Sequence, residues 1–142
     1  MIGVGNDLRG DDAAGLCVAR ALVDLANVRE LHGEPVGLID AWDGFERAIL
    51  VDAIQSGAEP GTVLRFAADE APLPPELHRS STHLLGVAEA VELARALGKL
   101  PPLTVLYGIE GASFDTGAPL SPEVEAAVGE VAARIREELA DA

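Results

Sequence analysis

Two unbroken apolar runs, Arg47 to Ile54 (RAILVDAI) and Leu103 to Tyr107 (LTVLY), constrain this chain most. A strand that faces water on one side alternates apolar and polar residues. A strand apolar on both sides must be covered on both. Val28 to Leu31 and Gly61 to Phe66 add two shorter strand candidates, the second introduced by a Pro60-Gly61 turn. Helical patterns lie between them. Leu16, Ala19, Leu22, Val23 and Ala26 share one face of a helix that begins near Asp11 or Asp12. Leu84, Val87, Val91 and Ala94 mark a second helix, ended by Gly98 and Pro101. Ser121 and Pro122 open a last helix, with Val124, Val128, Val131, Ile135 and Leu139 as its apolar stripe. Gly37 to Gly44 reads as a further short helix, and Ala71 to Pro75 as a proline-rich loop.

Strands alternating with helices define an α/β chain. The expected architecture is three-layer α/β/α: a mostly parallel central sheet of about five strands with helices on both faces. The 142 residues suffice for one domain, residues 1–142, with a sound core. Only Met1 and Ile2 precede Gly3, whereas a central strand runs about five or six residues. Either the true start lies upstream or the first strand is cut short.

Charge narrows the possible partners. Ten Lys+Arg against 24 Asp+Glu give a formal net charge of −14. Nucleic acid and anionic membrane surfaces would need a basic patch. The single cysteine, Cys17, builds no disulfide framework and reads as a small buried hydrophobe in a reducing compartment. No signal peptide and no membrane-spanning run is apparent, so a cytoplasmic location is expected.

The chemistry concentrates in the opening loop, IGVGNDLRGDDAAG. In an open α/β sheet, loops at the carboxyl ends of the strands share one edge, where ligands bind. Asp12 follows the first strand, Asp52 lies toward the end of RAILVDAI, and His83 stands in RSSTHLLG before the second long helix. A carboxylate among such apolar neighbours is costly unless paired or bound. Two carboxylates and an imidazole suit a divalent transition metal such as nickel, zinc or manganese, and such a site supplies an activated water for hydrolysis. Each residue also has an ordinary structural explanation: Asp12 at a helix start, Asp52 capped by strand-end amides, His83 bonded to a nearby carbonyl. Spacing does not separate Asp12 from its neighbour Asp11. His32 and His78 fall in polar loops and read as surface. A dinucleotide fingerprint fails because its third glycine would fall at Leu8. There is no P-loop lysine, no G-x-S-x-G elbow and no H-E-x-x-H.

GVGNDLRGDD, LVDAIQSG, SSTHLLG and YGIEG followed by LSPEVEAAV, in this order and spacing, resemble the hydrogenase maturation proteases. The resemblance spans nearly the whole chain. It implies an α/β/α fold and an endopeptidase that removes the C-terminal tail of a nickel-loaded hydrogenase large-subunit precursor. It also implies that Asp12, Asp52 and His83 contact nickel carried by the substrate, with zinc or cadmium able to substitute. Hydrolysis would be metal-assisted or of the aspartic type. The implied partner is the precursor protein, and the implied state a monomer. The alternative is a nickel-dependent assembly chaperone that binds the same precursor without cutting it. Ala13 stands where a glycine commonly follows the acidic pair, and Asp12 is the shorter of the two acids, Glu or Asp, that the family carries there.

Overall fold

A computed structural model describes residues 1–25, 27–32, 37–75, 77 and 86–140. The strands are β1 (Ile2–Gly5), β2 (Arg29–His32), β3 (Arg47–Ile54), β4 (Val63–Ala67) and β5 (Leu103–Glu110). The helices are α1 (Ala14–Ala21), α2 (Leu38–Ala41), α3 (Val87–Ala96) and α4 (Pro122–Ala140), with a 3-10 turn over Gly10–Ala13. The five strands form one sheet in the order β2-β1-β3-β5-β4. All neighbours are parallel except β4, which runs antiparallel to β5 at the edge.

The strand period places the core. Ala48, Leu50 and Ile54 of β3 point to one face, where they join Leu38 and Trp42 around α2 and Val87, Ala90, Val91 and Ala94 of α3. Ile49, Val51 and Ala53 point to the other face. There they meet Val18 and Leu22 around α1 and Val124, Val128, Val131 and Ile135 of α4. This is the three-layer α/β/α arrangement expected from the two-sided apolar runs. β3 is covered along its length, with every residue after Arg47 buried.

Several local expectations are corrected. The first helix does not begin at Asp11 or Asp12; both acids lie in the 3-10 turn, and α1 starts at Ala14. Val23 lies past the end of α1 and is 77% exposed, so it is not part of the apolar face. Strand β5 continues past Tyr107 to Glu110, where Gly108, Ile109 and Glu110 pair with Asp52, Ala53 and Ile54 of β3; a Cβ on Gly108 would meet Ile54 Cδ1 at 3.0 Å. The first strand is short, four residues from Ile2 to Gly5. Ala26, Leu84, His78 and His83 lie outside the described residues.

Candidate active site

The opening loop is shaped by what its glycines leave out. A Cβ on Gly5 would stand 2.1 Å from the Asp12 carbonyl oxygen, and one on Gly3 would stand 2.0 Å from the Gly15 carbonyl oxygen. Without those atoms, the turn and the start of α1 lie directly on β1. Asn6 then holds the loop twice. Its backbone N–H donates to the Asp12 carbonyl (3.1 Å), and its side-chain oxygen accepts the Leu8 N–H (2.9 Å). These glycines serve close packing, and no phosphate cradle is formed.

Asp11 and Asp12 are adjacent and fully buried, yet their environments differ. The Asp11 carboxylate accepts four hydrogen bonds: from the Ala112 N–H (2.7 Å), the Ser113 N–H (3.0 Å), the Ser121 N–H (2.7 Å) and the Ser121 hydroxyl (2.7 Å). Its own N–H donates to the Ser113 carbonyl (2.8 Å). Burial pushes the Asp11 carboxyl up, but these bonds outweigh it and hold the group below its ordinary value. Asp11 therefore staples the turn to the 111–121 loop. Nothing in the spacing announced this; the signal available was a serine cap at Ser121 with a carboxylate elsewhere to receive it.

Asp12 belongs to a different set. Its charge acts on Asp52, which lies on the face of β3 that carries Leu50 and Ile54. Asp52 is 3% exposed and borders a small recess lined by Ile54, Leu77, Val87, Ala88 and Leu106. Burial raises the Asp52 carboxyl well above its ordinary value, and the nearby Asp12 charge raises it further. An acid of the 3-10 turn and an acid of β3 thus act on each other in a poorly solvated place at the carboxyl edge of the sheet. The Arg9 Nη1 lies 3.6 Å from Asp12 Oδ2. Beyond β3, Glu110 fixes the departing chain: its carboxylate accepts the Ser56 N–H (3.0 and 3.1 Å) and the Ser56 hydroxyl. The sequence offered Asp11 only as the competitor of Asp12, and nothing in it singled out Arg9 or Glu110.

Of the three residues singled out in the sequence, the structure brings Asp12 and Asp52 together, while His83 lies outside the described residues. Among the described residues no three His, Cys, Asp or Glu side chains gather closely enough to hold a metal ion. Two oxygen-donor carboxylates in mutual repulsion nonetheless suit a divalent cation that brings further ligands with it. His32 is exposed as expected, but it ends strand β2 rather than lying in a loop, and it is bonded to Glu30 (3.0 Å). Cys17 is half-buried beside the α1–α4 core, and burial pushes its thiol up, away from a reactive thiolate.

A three-layer α/β/α chain with an acid pair at the carboxyl edge of its parallel strands has the build of an α/β protein whose chemistry lies at that edge. The hydrogenase maturation protease family model HycI matches residues 33–138. Hydrogenase 2 maturation protease of Escherichia coli is 31% identical over 148 residues, covering 96% of this chain and 90% of that protein. The hydrogenase expression/formation protein HupD of Thiocapsa roseopersicina is 31% identical over 132 residues, 88% of this chain, and the chain spans 60% of that relative's length. Among solved structures, the [NiFe] hydrogenase maturation protease HybD from Thermococcus kodakarensis superposes with a TM-score of 0.72 at 31% identity, covering 97% of this chain and 95% of that one. The chain belongs to the hydrogenase maturation protease family. No helix among the described residues is long and apolar enough to cross a membrane.

Proposed function

We propose that this protein is an endopeptidase that removes the C-terminal tail of a nickel-loaded hydrogenase large-subunit precursor. Family membership supports a processing role. The observation that carries the reading is the pairing of Asp12 and Asp52: two buried carboxylates whose charges oppose each other. Such a pair is stabilised by an incoming cation. Asp12 and Asp52, with His83 as the third contact, engage the nickel that the precursor carries, so the metal reports that the precursor is ready. Zinc or cadmium fits the same donors. A carboxylate of the pair then serves as base toward the attacking water, in a metal-assisted or an aspartic-type hydrolysis. A cytoplasmic location suits a chain whose one cysteine builds no disulfide framework.

The experiment is mass spectrometry of nickel-loaded and nickel-free precursor incubated with the protein. Loss of a C-terminal peptide from the loaded form alone is expected. Asp12→Ala, Asp52→Ala and His83→Ala should each reduce cleavage by at least about a hundredfold. Normal cleavage by all three variants would sink the site assignment. Tight binding without any cleavage would favour the assembly chaperone instead.

A further inference from the structure

The opening loop carries a large apolar side chain that the fold does not bury. Leu8 is 70% exposed, inside the turn that closes through the Asn6 N–H on the Asp12 carbonyl. Turn positions favour polar residues and glycine, and a leucine left in water forgoes the burial that makes it favourable. On a loose loop a single exposed leucine would mean little. This loop is anchored on both sides of it. The Asp7 carboxylate accepts two bonds from Arg20 of α1 (2.8 and 2.7 Å). The Leu8 N–H donates to the Asn6 side-chain oxygen (2.9 Å), and the Leu8 carbonyl accepts the Gly117 N–H (2.8 Å).

The Gly117 bond sets Leu8 beside a second uncharged stretch. Residues 116–122 read TGAPLSP and carry no charge, in a chain with a formal net charge of −14. Thr116, Gly117 and Pro119 are exposed. The two loops lie directly on each other: a Cβ on Gly10 would meet the Ser113 carbonyl oxygen at 2.5 Å and the Ala118 Cβ at 3.3 Å. The bonds that Ala112, Ser113 and Ser121 donate to Asp11 lock them together. An uncharged rim therefore stands at the carboxyl edge of the sheet, built on the same turn that supplies Asp12. Exposed apolar surface on a fixed backbone binds a partner with little ordering cost.

We propose that Leu8, with the 116–120 stretch beside it, seats an apolar side chain of the precursor and so determines which part of that protein is held at the acid pair. The substrate in this proposal rests on the endopeptidase reading. Leu8 is a specificity determinant: it adds to precursor binding and takes no part in breaking the peptide bond.

The test uses the full chain and nickel-loaded precursor, with cleavage kinetics followed by mass spectrometry and precursor binding by interferometry. Leu8→Ala should raise KM and weaken binding by at least about tenfold, and Leu8→Asp by about a hundredfold, with kcat within about twofold of the unmodified protein. Leu8→Met, apolar and of similar size, should stay near the unmodified values. Thermal melts should not move, because the side chain is already in solvent. Val23, past the far end of α1 and 77% exposed, is the control: Val23→Asp should change neither KM nor binding. Unchanged KM and binding in Leu8→Asp, an equal loss in Val23→Asp, or a fall in kcat alone overturns the role of Leu8 and leaves the endopeptidase reading standing. Precursor bound but never cut, with binding weakened by Leu8→Asp, overturns the endopeptidase reading and upholds the rim. Neither binding nor cleavage by the unmodified protein overturns both.

Discussion

Gly15 of α1 lies against Val51 of β3 so closely that a Cβ on Gly15 would stand 2.3 Å from the Val51 carbonyl oxygen. The Val4 carbonyl oxygen would be equally near, at 2.3 Å. Neither obstacle is a side chain that can swing aside. Gly15→Ala must therefore push α1 off the sheet, at a cost of about 2–3 kcal/mol or more, read as a lower urea midpoint. Gly129 in α4 is the internal control, since nothing lies within 4 Å of its Cβ position. Gly129→Ala should stabilise the protein by about 0.5–1 kcal/mol. An unchanged midpoint for Gly15→Ala would contradict the close packing of α1 on β1 and β3.

Removing the Asp11 carboxylate leaves three backbone N–H groups and a hydroxyl without their acceptor. Asp11→Ala should cost about 3 kcal/mol in denaturant unfolding. Asp11→Asn should recover only part of this, because its amide NH2 faces donors. Hydrogen exchange would report the loss locally, as faster exchange at Ala112, Ser113 and Ser121.

A third prediction concerns pH. Burial pushes the Glu138 carboxyl up, but hydrogen bonds from Arg65 and the Tyr107 hydroxyl, with Arg47 nearby, bring it below its ordinary value of 4.5. A carboxyl depressed in the folded state contributes stability above its unfolded value and loses it as pH falls through the folded one. Glu138→Gln should therefore cost on the order of 1 kcal/mol at neutral pH. The gap to the unmodified protein should close as pH drops below 4.5. A constant gap through acid would show that the pair contributes packing rather than charge.

Asp52 should behave in the opposite way. Its charge is opposed by burial and by Asp12. Asp52→Asn is expected to raise neutral-pH stability by about 1 kcal/mol while cleavage is lost. A variant that is both less stable and still active would separate Asp52 from the site.

The parts of the fold readable in the sequence were those governed by a period. RAILVDAI became β3 without a shift in its ends, and the stripe from Val124 to Leu139 lies along α4. The antiparallel setting of β4 was not readable, because a short strand candidate carries no mark of direction. Val23 matched the helical spacing but lies beyond the last turn, where spacing no longer governs burial. At the site, Asp52 was conspicuous because a charge sat in an apolar strand. Asp11 and Asp12 were indistinguishable because the difference between them is supplied by Ala112, Ser113 and Ser121, about a hundred positions away.

That separation bears on synthesis. A chain leaving the ribosome presents Asp11 long before Ser113 and Ser121 exist to receive its carboxylate. β3 likewise waits for β5, its partner along all eight residues. The acid pair is therefore among the last features to take shape, and a half-made molecule carries the opening loop without the frame that aims it. The opening loop therefore gains the acceptor frame of Asp11 only once the 111–121 segment has been made.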